Sequence, residues 1–440
     1  MGCGSSALRV DTKTSQAQRA SLDETLLADA LKKCTNMEAV LFGTGESGKT
    51  TLATLFEAYS QPAAALSGVD DVCGSNGIPT PTRYKLKDDA DVKQLLFENT
   101  VSCLQQLLQA AGEKKLITPE AVDAYTAGLI AFLDVGVWSK GFVDMCEELW
   151  KMPSIQTVVT NRHEYGYWIL ENYPYYMEHL QRFARAEPGI TFEDKLRSRK
   201  RTTIISTTKP LHLAMTAKTK PMWRAHAEAK RPLDLKSVDG LNGKTGALPL
   251  PDTTVLFDTI EKAPPSISFA LIDIGGQKME RSKWARYFTG VCAFIYVINL
   301  NGFGQWMFEE RGKDQMVDSY TTLEGLANTK SLINDRFILV FTKTDLFKKQ
   351  LTELPKLGLK ITDFPFMKDY KHDTADPISV LAFIKAKFEG LLRPTQSATS
   401  YSICTVEPAQ VFAMFQDIHH ELVLYTLPTV VRTLQKLTGQ

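Results

Sequence analysis

Apolar positions along the 440-residue chain change their spacing several times, and the changes divide it into regions. From about 20 to 37 they recur at helical intervals, at Leu22, Leu26, Leu27, Ala30 and Leu31, which predicts one amphipathic helix. It leads into Ala39, Val40, Leu41 and Phe42, an unbroken apolar run expected to form a strand. Residues 51–56 then return to a helix-like pattern. No strand signal follows until about residue 200. Residues 95–109, 121–133, 141–150 and 175–185 are helix-like, punctuated by Asn76-Gly77, Pro79, Pro81, Pro119 and Pro188. Buried-strand patterns resume at 269–274, 292–300 and 336–342, with helical stretches between them. This alternation predicts an α/β domain with a mostly parallel sheet and crossover helices, interrupted by an all-helical block. Residues 206–252 fit neither pattern. They are rich in Lys, Thr, Pro and Gly, with roughly eight basic against four acidic side chains, and predict a long, partly disordered surface loop.

Composition narrows the classes. An apolar content of 44% and a net charge of +1 argue against a disordered chain and against a nucleic-acid-binding surface. The seven cysteines are odd in number and lack metal-ligand or redox spacing, so a reduced, intracellular protein is expected. No apolar run is long enough to span a bilayer, and the first residues lack the apolar core of a secretory signal. They instead read Met1-Gly2-Cys3-Gly4-Ser5-Ser6, which fits N-myristoylation at Gly2, with Cys3 beside it as a candidate palmitoylation site. Two acyl chains would hold a protein stably at a membrane where one would not.

The sharpest chemical signal is Gly43-Thr44-Gly45-Glu46-Ser47-Gly48-Lys49-Thr50, a phosphate loop set between a strand and a helix. Gly43, Gly45 and Gly48 let the backbone wrap phosphate oxygens, with N–H groups and the helix N-terminus turned toward negative charge. Lys49 would reach the β- and γ-phosphates, and the Thr50 hydroxyl would bind Mg²⁺. Four later segments each suit a guanine nucleotide: residues 194–203, 273–284, 342–345 and 402–405. In the first, Thr202 can complete the Mg²⁺ shell, and Arg199 can neutralise charge developing on the transferred phosphoryl group. In the second, Asp273 ends an apolar strand where it can hold Mg²⁺ through water. The N–H of Gly276 can sense the γ-phosphate, and Gln277 can orient the attacking water. In the third, Lys343 can lie over the base while the Asp345 carboxylate pairs with the N1–H and N2–H₂ of guanine. Adenine lacks that donor pair, so Asp345 sets the base.

This ordered set, with a helical block between the phosphate loop and the arginine, resembles the α subunits of heterotrimeric G proteins. The most specific matches are Gly-Glu-Ser-Gly-Lys at 45–49, Leu-Arg-Ser-Arg at 196–199 and Gly-Gly-Gln at 275–277. Leu149-Trp150-Lys151, Tyr175-Tyr176, Leu22-Asp23, Asp29 and the acylation motif agree with it. Small GTPases lack the helical block and usually the arginine in cis, and fit less well. The resemblance implies a Ras-like phosphate-loop GTPase domain at 37–60 and 197–440, carrying the 206–252 loop. It implies a helical domain at 61–196 and an acylated N-terminal helix at 1–36. It implies a GTP-hydrolysing switch with GTP/GDP and Mg²⁺ as ligands, on the cytoplasmic face of the plasma membrane. A Gβγ dimer, effectors and a seven-helix receptor are the implied partners. Arg199, Gln277 and Lys49 would be catalytic, and Thr50, Thr202 and Asp273 would face the metal. The nucleotide would meet Gly45, Glu46, Ser47, Gly48, Lys49, Thr50 and Thr51 of the loop, and Glu171 and Asn172 of the helical block. It would also meet Leu196, Arg197, Thr202, Gly276, Thr342, Lys343 and Asp345, with Cys404 reading the guanine carbonyl through its backbone N–H.

The chain departs from the family pattern at several places. Thr342 replaces the usual asparagine of the base motif, and 402–405 read Ser-Ile-Cys-Thr rather than Thr-Cys-Ala-Thr, so looser nucleotide retention is expected. Ile204 stands where glycine is usual, Pro428 interrupts the last helix, and the C-terminal residues do not match a receptor-reading tail. These departures motivate a second expectation, a slowly cycling or inactive nucleotide-binding scaffold, against which Arg199 and Gln277 speak. An ATP-using phosphate-loop enzyme is a third, opposed by Asp345.

Overall fold

The computed structural model describes residues 36–59, 88–185, 189–199, 205–208, 211–212, 268–332, 335–372, 375–396, 398–415, 417–419 and 421–422. The helix expected at 20–37 lies outside them save for its last two residues, which begin the first strand. The acylation motif, Thr202, Ile204, Pro428 and nearly all of 206–252 also lie outside the described residues. The chain divides into two units. The larger comprises Ala39–Lys209 and Leu271–Phe415, and holds both the helical block and the phosphate-loop half of the chain. The smaller comprises Met1–Glu38, Pro210–Ala270 and Gln416–Gln440. In the smaller unit, Leu211 and His212 pair antiparallel with Phe269 and Ser268, and Ser268 Oγ donates to Asn36 Oδ1 at 2.7 Å.

The strands are β1 (Asn36–Phe42), β2 (Ser206–Thr207), β3 (Leu211–His212), β4 (Ser268–Asp273), β5 (Ala293–Asn299), β6 (Phe337–Thr342) and β7 (Ala398–Ser402). In the larger unit the strand order is β2-β4-β1-β5-β6-β7. The pairs β1–β5, β5–β6 and β6–β7 are parallel, and β2–β4 is antiparallel. The mostly parallel α/β sheet is therefore as the apolar runs predict. β4, β5 and β6 are buried at every position, because helices cover both faces of a parallel sheet. Register places Phe42 opposite Tyr296, and Asn299 opposite Thr342. The strand ends that carry polar chemistry thus lie on one edge of the core.

The helical block has its own core. Helix Asp89–Glu113 runs through its centre and buries Val92, Leu96, Phe97, Val101, Leu104, Leu107 and Leu108 at helical spacing. Local signals set the element ends. Asp88 caps this helix, Thr118 precedes Pro119 at the start of the next, and Gly136 ends that helix with φ +67. Phe97, Trp138, Phe142 and Phe183 fill the centre as a chain of tilted and edge-on rings. The block then returns to the sheet domain through Phe192–Arg197. A capping box between Thr191 and Asp194 starts this helix, and Arg182 grips Asp194 with two 2.7 Å bonds. Burial opposes ionisation of Asp194, yet Arg182, Thr191 and Tyr175 hold its carboxyl down at about 2. The segment that carries Arg197 and Arg199 is thereby fastened to the helical block.

Candidate functional site

Backbone geometry builds the phosphate end. Gly43 has φ +141, and a Cβ there would meet the carbonyl of Val297 at 2.4 Å. Glu46 takes a left-handed φ of +65, unusual for a residue with a side chain, and Gly48 sits at +101. The loop curls back on itself, so that buried Lys49 donates to the carbonyls of Gly43 and Thr44 at 2.8 Å each. Burial lowers the Lys49 ammonium to about 8, with the Asp273 carboxylate partly opposing. Gly276 closes on the same place. A Cβ on it would lie 2.3 Å from both the Gly43 carbonyl and Lys49 Nζ, so only glycine fits. Gln277 follows, and a Cβ placed on Gly45 would lie 3.8 Å from its Cγ. Trp284 is buried against Phe42 and donates to the Gly275 carbonyl at 2.9 Å. Arg281 ties the Gly276 carbonyl to Asp318 and Thr322 of helix Gln315–Ala327.

The donor set for a divalent cation lies beside this. Thr50 Oγ1 donates to Asp273 Oδ2 at 2.9 Å, and Asp273 Oδ1 is buried with no hydrogen-bond partner among the described residues. Burial raises the Asp273 carboxyl, opposed by Lys49 and the Thr50 bond. An unpartnered carboxylate oxygen next to a threonine hydroxyl suits a hard cation. Among the described residues no group of three or more His, Cys, Asp or Glu could hold a metal ion.

Side chains from distant segments build the base end. Lys343, itself at φ +60, donates to the Glu46 carbonyl at 2.7 Å and forms an ion pair with Glu171. Asn299 and Asn301 also donate to Glu171, the latter at 2.5 Å. Burial works against the charge on Glu171, but Lys343 and the two amides hold its carboxyl below the usual carboxylate range. Arg197 exchanges bonds with Asn172 and lies 3.7 Å from Asp345. Thr342 Oγ1 lies 2.7 Å from the Ser47 carbonyl and 3.0 Å from that of Ile298, so the threonine hydroxyl reaches the phosphate loop.

One cavity of about 170 Å³ joins these groups. Gly45 to Thr51 line one side, and Glu171, Asn172, Leu196, Arg197 and Arg199 another. Gly276 and Gln277 stand at the phosphate end, with Lys343 and Asp345 at the base end. Three sequence-predicted residues do not line it. Thr342 is buried beneath the loop, and Asp273 sits behind Thr50. Cys404 is buried, while its neighbours Thr405 and Val406 face the cavity. Thr202 lies outside the described residues.

Sequence reasoning missed several supports. Asn99 accepts from the Arg199 N–H at 2.8 Å and donates back to its carbonyl at 3.1 Å. Its signal was a polar residue in the apolar stripe of a helix. Trp168 donates to Glu46 Oε1 at 2.9 Å. Nothing in the local pattern marks it. Asn299 and Asn301 end a buried strand, where a second amide two residues on is a faint cue.

Comparison with known proteins agrees with this geometry. The family described as "G-protein alpha subunit" matches residues 16–422. The chain is 25% identical over 420 residues to the guanine nucleotide-binding protein alpha-1 subunit of Mycosarcoma maydis, covering 93% of this chain and 94% of that protein. It is 28% identical over 402 residues to the guanine nucleotide-binding protein alpha-8 subunit of Dictyostelium discoideum, covering 88% and 76%.

Proposed function

Since the chain belongs to the G-protein α-subunit family, we propose that it is a membrane-anchored switch that binds GTP with Mg²⁺ and hydrolyses it to GDP. The observation that carries this reading is the single cavity shared by Lys49, Arg199, Gln277 and Asp345. A triphosphate gripped at one end and a guanine read at the other need these four residues around one space. Bound Mg²⁺ would supply positive charge to the β- and γ-phosphate oxygens, held by Thr50 and Asp273. Lys49 exchanges its carbonyl partners for phosphate oxygens. Gln277, beside Gly45, orients the attacking water, and Arg199 offers its guanidinium to the charge that develops on the transferred group. Asp345 accepts from the guanine edge. Loss of the γ-phosphate removes the partner of the Gly276 N–H. The segment from Gly276 to Trp284 is then released, a change of the order–disorder kind.

Single-turnover hydrolysis of preloaded GTP tests the reading. Arg199→Ala and Gln277→Leu should each slow it roughly 10²–10³-fold while nucleotide affinity holds. Unchanged turnover in both variants overturns the mechanism. Binding without turnover in the parent chain would instead favour the scaffold. Competition by ATP at equal concentration would overturn the guanine reading.

Anchoring rests on Gly2 and Cys3. Gly2→Ala should move the protein from membrane to soluble fractions, and an unchanged distribution removes this part of the proposal. The family implies a Gβγ dimer, effectors and receptors as partners.

A further inference from the structure

Trp168 projects from the helical block onto the one acidic side chain of the phosphate loop. Its indole N–H donates to Glu46 Oε1 at 2.9 Å, and Arg199 Nη2 reaches the same oxygen at 2.9 Å. The Arg199 guanidinium carbon also lies over the indole face, 5.3 Å from its centre. Phe308, from the segment after β5, packs edge-on against the indole, with ring centres 4.7 Å apart. One ring therefore touches the arginine, the arginine's counter-charge and a third segment of the chain.

This arrangement restrains a side chain that backbone contacts leave free to turn. Asn99 fixes the Arg199 backbone from both sides, but its long side chain keeps several torsions. Glu46 holds one nitrogen of the guanidinium, and the indole beneath its carbon limits where the rest can swing. The N–H bond to Glu46 fixes the carboxylate as well. Arg199 borders both the main cavity and a smaller one of about 30 Å³ that Gln277 and Phe308 also line. The fork is thus held on the wall where Gln277 stands, with further N–H groups that take no hydrogen bond among the described residues.

We infer that Trp168 is a positioning residue for Arg199, holding the guanidinium ready for the phosphoryl group through ring contact and through Glu46. The inference rests on the hydrolysis reading above. Its test is single-turnover GTP hydrolysis in the full chain with Trp168→Leu and Trp168→Phe, each also combined with Arg199→Ala, alongside GDP release rates. Trp168→Leu should slow hydrolysis about tenfold, and Trp168→Phe, which keeps a ring face but loses the N–H, about threefold. GDP release should stay within twofold, and neither change should slow the Arg199→Ala protein further. Full-rate hydrolysis in both Trp168 variants overturns the inference alone. So does an equal further loss in the Arg199→Ala background, or a parallel rise in GDP release, since either marks a general loosening. Should the leucine variant fail to fold, the phenylalanine variant decides by the same criteria. A parent chain that turns over no GTP removes the hydrolysis reading first, and this inference with it.

Discussion

The two ends of the cavity are built by different means. At the phosphate end the backbone does the shaping. Gly43 and Gly276 approach other chain segments so closely that no side chain fits, and Lys49 is buried among carbonyls of its own loop. At the base end side chains do it, with partners far away in sequence. Lys343 reaches Glu171 of the helical block, Arg197 stands 3.7 Å from Asp345, and Thr342 holds the Ser47 carbonyl from beneath. A backbone cradle tolerates no substitution but needs few helpers. A side-chain cradle tolerates change at any one position because the load is shared. The chain keeps the family pattern at the first end and departs from it at the second, as this difference leads one to expect.

The contrast is most exposed to Gly276→Ala. The added methyl would lie 2.3 Å from the Gly43 carbonyl oxygen and 2.7 Å from the Thr44 carbonyl carbon, both loop backbone, and 2.3 Å from Lys49 Nζ. Overpacking of this kind costs about 1–3 kcal/mol or more, so binding of a non-hydrolysable GTP analogue should weaken roughly 10- to 100-fold or beyond. Equilibrium titration measures it, and affinity within threefold of the parent would mean that the cradle is softer than its geometry implies. Glu171→Gln sharpens the other side. It leaves Lys343 beside an uncharged amide, with both side chains largely buried. Breaking such a pair is costly, but Asn299, Asn301 and the Glu46 carbonyl remain. GDP release should accelerate about tenfold, with hydrolysis of bound GTP nearly unchanged. A loss as large as that of Gly276→Ala would erase the distinction between the ends.

The same difference explains what could be read in advance. Glycines that must be glycine, a buried lysine and an apolar strand ending in Asp273 leave local marks, and the apolar spacing foretold the sheet and the helical block. Asp345 and Lys343 were legible by type and order. Their supports were not, because Glu171, Asn301 and Arg197 meet them only once the helical block folds back over the sheet. Asn99 and Trp168 show the limit clearly. Asn99 shows only as a polar residue in an apolar stripe and Trp168 not at all, and each acquires its role from Arg199, 100 and 31 positions onward by their numbers. The larger unit holds both the helical block and most of the strands.

His163 offers a pH-dependent measure of that joining. Its Nδ1–H donates to the Gly304 carbonyl at 2.8 Å, linking the helical block to the segment after β5. Burial, with Arg162 close by, lowers the imidazole from its ordinary 6.5 to about 4. Between those values the unfolded chain takes up a proton that the folded chain refuses. Stability is therefore intact above pH 6.5 and falls as the pH drops toward 4, by roughly 2–3 kcal/mol. Denaturant titrations at several pH values should show His163→Gln lacking this increment of pH dependence. Equal slopes in parent and variant would mean that the imidazole is not sheltered between the blocks.

Thr342→Asn is the mildest change and the most direct probe of the base end. A hydroxyl has one proton, yet Thr342 Oγ1 stands within bonding distance of two carbonyls, those of Ser47 and Ile298. It can serve only one at a time. An asparagine amide has two N–H groups and can serve both, and a hydrogen bond of this kind is worth about 0.5–1.5 kcal/mol net. The site is fully buried, and the threonine packs near Gly48, so some of that gain goes into accommodating a longer side chain. GDP release should slow by about two- to fivefold. A hydrolysis rate that stays level while release slows would place Thr342 in retention alone. Faster release would mean that the pocket beneath the loop has been shaped around threonine, and that the departure from asparagine is an adaptation with its own packing rather than a weakened contact.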